Sequence, residues 1–282
     1  MLNTVNKLEG AEVKIMNKKL KSIIAVVAVL FLVVVGFNMR GKADQSFSQI
    51  KEKGKFVVGL DDSFPPMGFR DKEGDIVGFD IDMAREAAKR MGLKVEFKPV
   101  EWDGVIMSLK SGHIDVIWNG LTITEEREKK IGFTDPYLKN RQIIVVRKDS
   151  NIEEKSDLSG KKVGVQLGSS SVNAIKSEPE VLDTLQTMRK FSNNTEALMD
   201  LKIGRIDAVV VDEIVGRYYI RKKPGVYRVL EDNFGKEAYG VGVRKEDVSF
   251  GNKLNQVLTE MKKDGTAAKF AEKWFGDDDI LQ

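Results

Sequence analysis

At 282 residues the chain is too long for one core of ordinary size and predicts about two domains, and 41% hydrophobic with 32% charged residues exclude a disordered protein. The formal net charge of +3 misleads: residues 1–43 hold seven Lys or Arg and two Glu, leaving 3 − 5 = −2 on residues 44–282, which excludes the basic face of a nucleic-acid binder. With no cysteine and one histidine, His113, the sequence excludes disulfides, thiolate metal sites, cysteine nucleophiles and a lipidated Cys, and no imidazole pair for zinc or serine–histidine triad is expected.

In chain order, "MNKKLKSIIAVVAVLFLVVVGF" comes first. The basic residues Lys18, Lys19 and Lys21 lead into an unbroken apolar run from Ile23 to Val35, the layout of an export signal. Lengthened by Gly36 to Met39, the run could also serve as an uncleaved anchor. Residues 1–43 are therefore read as a signal peptide or N-terminal membrane anchor, with Gly41-Lys42-Ala43 as a weak cleavage pattern.

A faint duplication follows. "WDGVIMSLKSGHIDVIWNG" (102–120) and "NTEALMDLKIGRIDAVVVD" (194–212) each predict a helix ending in Leu-Lys, a glycine cap at Gly112 or Gly204, and a short apolar strand after Ile-Asp. His113 falls in the first of these turns, where a solvated side chain is expected. The apolar runs suit parallel strands covered on both faces. Upstream of each copy stands another strand and turn, "GKFVVGLDDSF" (54–64) and "GKKVGVQLGSS" (160–170), so each half reads as a small α/β unit.

Two extended segments, "RQIIVVRKDS" (141–150) and "EAYGVGVRKED" (237–247), leave the two units. The last segment, "KLNQVLTEMKKDGTAAKFAEKWFG" (253–276), predicts two helices from Leu254, Val257, Leu258 and Met261, then Ala268, Phe270, Ala271 and Trp274, broken at Asp264-Gly265. These helices have no unit of their own and are expected to return to the first. The predicted architecture is α/β: two lobes joined by two crossing strands with a ligand cleft between them. Lobe 1 takes residues 44–141 and 238–282, and lobe 2 takes residues 142–237. A two-strand hinge permits closure.

One stretch is anomalous. "GLTITEEREKKIGFTDPY" (120–137) reads as a strand end, a short turn and the first two turns of a helix with Thr124 as N-cap. Arg127 stands at the third helical position, where the backbone is already electropositive and an acidic or amide side chain would complete a capping box. An anion held there would meet the helix amides and the Arg127 guanidinium together. Asp212 is the second outlier, a carboxylate at the end of an apolar strand that needs a partner or a cleft.

The segments "GKFVVGLDDSFPPMGF", "GDIVGFDIDMAREAAKRMG", "WNGLTITEEREKKIGFTDPY", "GKKVGVQLGSS", "GRIDAVVVDE" and "KKDGTAAKFAEKWFG" resemble, in order and over nearly all of residues 50–276, the signatures of the polar amino-acid substrate-binding proteins of ATP-binding cassette importers. The resemblance implies the periplasmic-binding-protein type II fold and an extracytoplasmic, monomeric carrier. It would deliver a polar L-amino acid to membrane permease subunits, with no cofactor or metal and no enzymatic activity. It implies that Arg127 binds the ligand's α-carboxylate with Gly120, Thr122, Ser169 and Ser170, and that Asp212 binds the α-ammonium. Phe64 and Trp102 match positions that sandwich the side chain, and Asp61 and Asp80 match acidic pocket positions that suit a cationic side chain. Asn119 and Gln166 complete the expected set, although Trp118-Asn119 departs from the small pairs of several family members. A basic amino acid such as arginine is favoured, with cystine or glutamine possible. Two rivals stand beside this reading. The fold also hosts dehydratases and lytic transglycosylases, for which Asp61 or Asp80 could be a general acid, and it serves as a sensor module; no catalytic or signalling domain is expected after residue 282.

Overall fold

The computed structural model describes residues 44–276 and 280–282. The predicted export segment lies outside the described residues, and among those no helix is long and apolar enough to cross a membrane.

Two five-stranded sheets carry the fold. In the first, Lys55–Leu60 lies between Lys94–Pro99 and Val116–Ile117, parallel to both, and the antiparallel Gly242–Val243 and Gly132–Phe133 complete the sheet. In the second, Lys162–Gln166 lies between Thr187–Phe191 and Ala208–Asp212, again parallel to both. Leu138–Arg147 and Tyr227–Tyr239 then add antiparallel.

The duplication is structural. Gly112 and Gly204 both have φ of 76°, the left-handed position that ends each helix. The Ile-Asp pair that follows does the same work twice. Asp115 Oδ2 accepts the Val57 amide at 2.9 Å, and Asp207 Oδ2 accepts the Lys162 amide at 2.8 Å, so each carboxylate fixes the start of the neighbouring strand. The isoleucine of each pair lies over a glycine of that strand: a Cβ on Gly59 would stand 2.2 Å from Ile114 Cδ1, and one on Gly164 would stand 2.5 Å from Ile206 Cδ1. Glycine is required at both places by close approach.

The first crossing segment starts three residues earlier than expected and the second ten residues earlier. Leu138–Arg147 and Tyr227–Tyr239 pair from Tyr227–Arg147 to Tyr239–Leu138, with register shifts around Asn233, so the second begins ten residues before the apolar pattern announces it. Its exposed, charged middle (Glu231, Asp232, Lys236) carries no strand periodicity, and only the partner strand defines it. Immediately outside this pair, Gly132–Phe133 and Gly242–Val243 join the first sheet, which makes the two long strands the connection between halves.

The final helices, Val248–Lys263 and Thr266–Phe275, return to the first unit as expected. Phe250 packs edge-on against Phe56 at 5.6 Å, Phe275 lies 5.0 Å from Phe79, and Arg90 pairs with Asp264 at 2.7 Å. Ala267 and Ala271 face the core, whereas Trp274 is partly buried and donates its indole N–H to Asp82 at 2.8 Å.

The Ile-on-glycine contact is testable. Gly164→Ala should cost about 1–3 kcal/mol in urea unfolding through overpacking. Ile206→Val, which removes the methyl that the new Cβ meets, should recover part of the loss. Additive losses in the double variant would contradict the contact.

Candidate functional site

The turns after the parallel strands of each sheet face one another, and the candidate residues stand on those turns. Arg127 is the link. Its helix is a single turn, Glu125–Glu128, rather than the two turns expected, so the axial dipole is small. Thr124 caps it as predicted, its hydroxyl accepting the Arg127 amide at 3.2 Å. The guanidinium does not lie along the helix amides. It donates through Nη1 to the Thr122 carbonyl at 2.8 Å and through Nη2 to the Gly168 carbonyl at 3.1 Å, tying the first unit to the turn after Lys162–Gln166 in the second. Its carbon stands 6.0 Å over the Trp102 ring. Removal from water pushes its pKa down, and the charges of Asp212 and Glu237 work against that.

Further contacts cross between the units. Gln166 Nε2 donates to Asp61 Oδ2 at 2.7 Å, while Asp61 Oδ1 accepts the Ser63 amide and hydroxyl at 2.8 and 2.6 Å. The Thr122 and Ser170 hydroxyls lie 3.1 Å apart. Gly168, with φ of 76°, packs so closely that a Cβ there would stand 2.7 Å from the Asp103 Cα. These contacts describe a closed cleft.

The side-chain end is aromatic. Phe64 and Trp102, both buried, are 8° from parallel with centroids 6.5 Å apart. Gly120 holds Phe64 in place, since a Cβ there would come within 2.8 Å of its ring. Asn119 fixes the Asp61 backbone by accepting its amide at 3.0 Å, and the Asn119 Nδ2 is buried without a partner.

Asp80 stands one layer back. It is fully buried, its carboxylate accepting the Gly120 amide at 2.7 Å and the Tyr137 hydroxyl at 2.9 and 3.0 Å, and burial raises its pKa to about 7 against the pull of both donors. Asp80 thus sets the turn at Gly120. Ser169 precedes the helix Ser170–Lys176 without capping it through its side chain; the hydroxyl donates instead to the Gln166 carbonyl at 2.8 Å. His113 is exposed in its turn, as expected.

At the opposite end lies a polar cluster that the sequence reveals only in half. Asp212 Oδ1 accepts from Asn140 Nδ2 at 2.6 Å, Gln142 Nε2 at 3.0 Å and the Tyr239 hydroxyl at 2.7 Å. Burial, then the neighbouring charge of Glu237, raises its pKa to about 7. Glu237 Oε2 accepts from the same two amides at 3.1 and 2.9 Å and lies within 3.1 and 3.2 Å of the Thr122 and Ser170 hydroxyls. Asn140, Gln142, Tyr239 and Glu237 all belong to the crossing strands, where Glu237 stands in register with Asn140. No local pattern marks them, because they are ordinary strand residues until the pairing places them under Asp212. Among the described residues no group of three or more His, Cys, Asp or Glu could hold a metal ion.

Two α/β units on a two-strand hinge, closed over a cleft lined by one arginine, buried carboxylates and a parallel aromatic pair, define a ligand-binding protein of the periplasmic-binding-protein type II fold. The chain belongs to the bacterial extracellular solute-binding proteins, family 3, whose profile matches residues 56–277. It is 34% identical over 248 residues to an L-cystine-binding protein of Escherichia coli, covering 87% of this chain and 92% of that protein. An ancestral arginine-binding protein solved with arginine is 48% identical, with a TM-score of 0.75 over 79% of this chain and 99% of the other. A Streptococcus pneumoniae substrate-binding protein of an ABC uptake transporter, solved with histidine, is 35% identical, with a TM-score of 0.81 over 85% of this chain and 99% of the other.

The closed contact at Gly168 predicts its own failure. In Gly168→Ala the new Cβ meets backbone rather than a movable side-chain end, and φ of 76° is strained for alanine. The variant should fold yet stay open: at saturating ligand, small-angle scattering should give a larger radius of gyration than wild type. Superimposable curves would contradict the contact.

Proposed function

We propose that this protein is an exported carrier that closes on a polar L-amino acid and delivers it to the permease subunits of an ABC importer, acting as a monomer and not as an enzyme. The lobe boundaries in this reading are residues 44–141 with 238–282, and 142–237. A basic amino acid, L-arginine first, is the preferred ligand; cystine and glutamine are the alternatives, in keeping with relatives named for cystine and for arginine. Residues 1–43 supply export, as a cleaved signal or as an anchor on the outer face of the membrane.

The observation that carries the choice of ligand is the parallel pair Phe64 and Trp102, 6.5 Å apart. The rings already lie parallel, so a flat group that entered between them would meet both faces at carbon contacts of about 3.5 Å. A guanidinium is flat, cationic and weakly hydrated, and it stacks on aromatic faces. Asp61, at the same end of the cleft, has no cation within ion-pair distance among the described residues. Arg127, with Gly120, Thr122, Ser169 and Ser170 around it, takes the α-carboxylate in this reading, and Asp212 takes the α-ammonium. Asp80 acts through the Gly120 turn.

Arg127→Met should weaken L-arginine binding at least 100-fold, about 2.7 kcal/mol at 1.4 kcal/mol per decade, with the fold retained by circular dichroism. The substitution also removes the bonds to the Thr122 and Gly168 carbonyls, which act on closure whatever the ligand. L-Arginine amide separates the two effects, since it lacks the carboxylate and should lose much less affinity on mutation. Calorimetric titration of acid and amide against both proteins completes the double-mutant cycle. A coupling near zero would remove the carboxylate role from Arg127.

A further inference from the structure

The cluster on the crossing strands poses a chemical problem. Asp212 and Glu237 lie under the same two amides, and among the described residues neither has a cation within ion-pair distance. Arg127 is near enough to feel both charges, yet its guanidinium donates to the Thr122 and Gly168 carbonyls and makes no ion pair with either acid. The donors present are neutral: two amides and the hydroxyls of Thr122, Ser170 and Tyr239. A third acceptor adds to the excess, because Asn140 Oδ1 is buried without a hydrogen-bond partner. Asn140 cannot relieve this by turning its amide over, since its Nδ2 already serves both carboxylates at 2.6 and 3.1 Å. Two carboxylates under neutral donors, beside an amide whose own carbonyl oxygen is unpartnered, form a site that lacks a cationic donor.

We infer that Glu237 is a ligand-binding residue of this protein: with Asp212 it forms a two-carboxylate clamp for the ligand's α-ammonium. The inference rests on the amino-acid reading of the cleft and extends it to a residue on the hinge. An ammonium offers three donors and a full charge, and the cluster offers Asp212, Glu237 and Asn140 as three kinds of acceptor. Glu237 also touches the Thr122 hydroxyl of the first unit and the Ser170 hydroxyl of the second. It therefore meets the ligand where both units and the hinge converge, and filling the clamp completes a contact that exists only in the closed form. The chemical consequence is selectivity for a free, charged α-amine. An α-amide nitrogen, as in an N-acyl or peptide-bonded ligand, brings no charge to offset the two acids.

The test uses Glu237→Gln, which keeps size and hydrogen-bonding reach while removing the charge. L-Arginine and its des-amino analogue 5-guanidinopentanoic acid are titrated by calorimetry against wild type and variant. The clamp predicts at least a tenfold loss for L-arginine and a change of less than about twofold for the des-amino acid. Equal losses for both would make Glu237 a structural residue, and an unchanged or tighter affinity for L-arginine would make it a competitor; either overturns the inference. Should wild type bind L-glutamine and not L-arginine, the side-chain reading fails, and the clamp is read in the same way from L-glutamine against 5-amino-5-oxopentanoic acid. Binding of no amino acid overturns both readings. If Glu237→Gln does not fold by thermal unfolding, Glu237→Asp, which withdraws the carboxylate by one methylene, is judged by the same difference between the two ligands.

Discussion

Asp212, buried, and Glu237, half-buried, are held beside each other under the same two side-chain amides, with no ion-paired cation for either among the described residues. Each buried charge costs several kcal/mol unless it is paired, and two of like sign cost more. Burial and the neighbouring charge of Glu237 answer part of that cost by raising the Asp212 pKa to about 7. A ligand that brings a positive charge removes the rest. In the proposed reading closure and ligand capture are one process, because an ammonium between the two acids brings the charge that their neutral donors lack.

The other end of the cleft obeys the same logic with different groups. Arg127 spans the units through two carbonyls and in the proposed reading also meets the ligand's carboxylate, while Asp61 reaches Gln166 across the cleft and has no ion-pair partner among the described residues. Phe64 and Trp102 lie parallel, their centroids 6.5 Å apart. An amino acid with a flat cationic side chain answers all three, which is why the side-chain reading favours arginine over a neutral amide.

Much of this was legible in the sequence because it depends on local pattern. The paired "LK-x-G-x-ID" turns, the apolar strands, the Thr124 cap and the misplaced charge of Arg127 are all short-range signals, and the return of the last helices follows from their amphipathic spacing. The resemblance to a known family supplied the expected roles of Ser170 and Asp212, which stand here as part of the proposal. Glu237, Asn140 and Gln142 stayed hidden because their meaning lies in strand pairing: nothing in "GKEAY" distinguishes a solvated edge glutamate from one turned under Asp212. The answer to the Arg127 anomaly also changed, since its helix is one turn long and the guanidinium turns back to a carbonyl at 2.8 Å rather than forward to the amides.

The most direct test of the unpaired-acid account is the proton count of binding. Burial and the charge of Glu237 raise the Asp212 pKa to about 7, so this carboxyl holds a proton more readily near neutrality than an exposed acid does, with Tyr239 donating to it. An ammonium placed beside Asp212 lowers its pKa, so the account predicts that binding expels protons. L-Arginine titrated calorimetrically at pH 7 in buffers of different ionisation enthalpy should show net release of a fraction of a proton per site, and the release should disappear in Asp212→Asn. Proton uptake, or heats independent of buffer, would contradict the account.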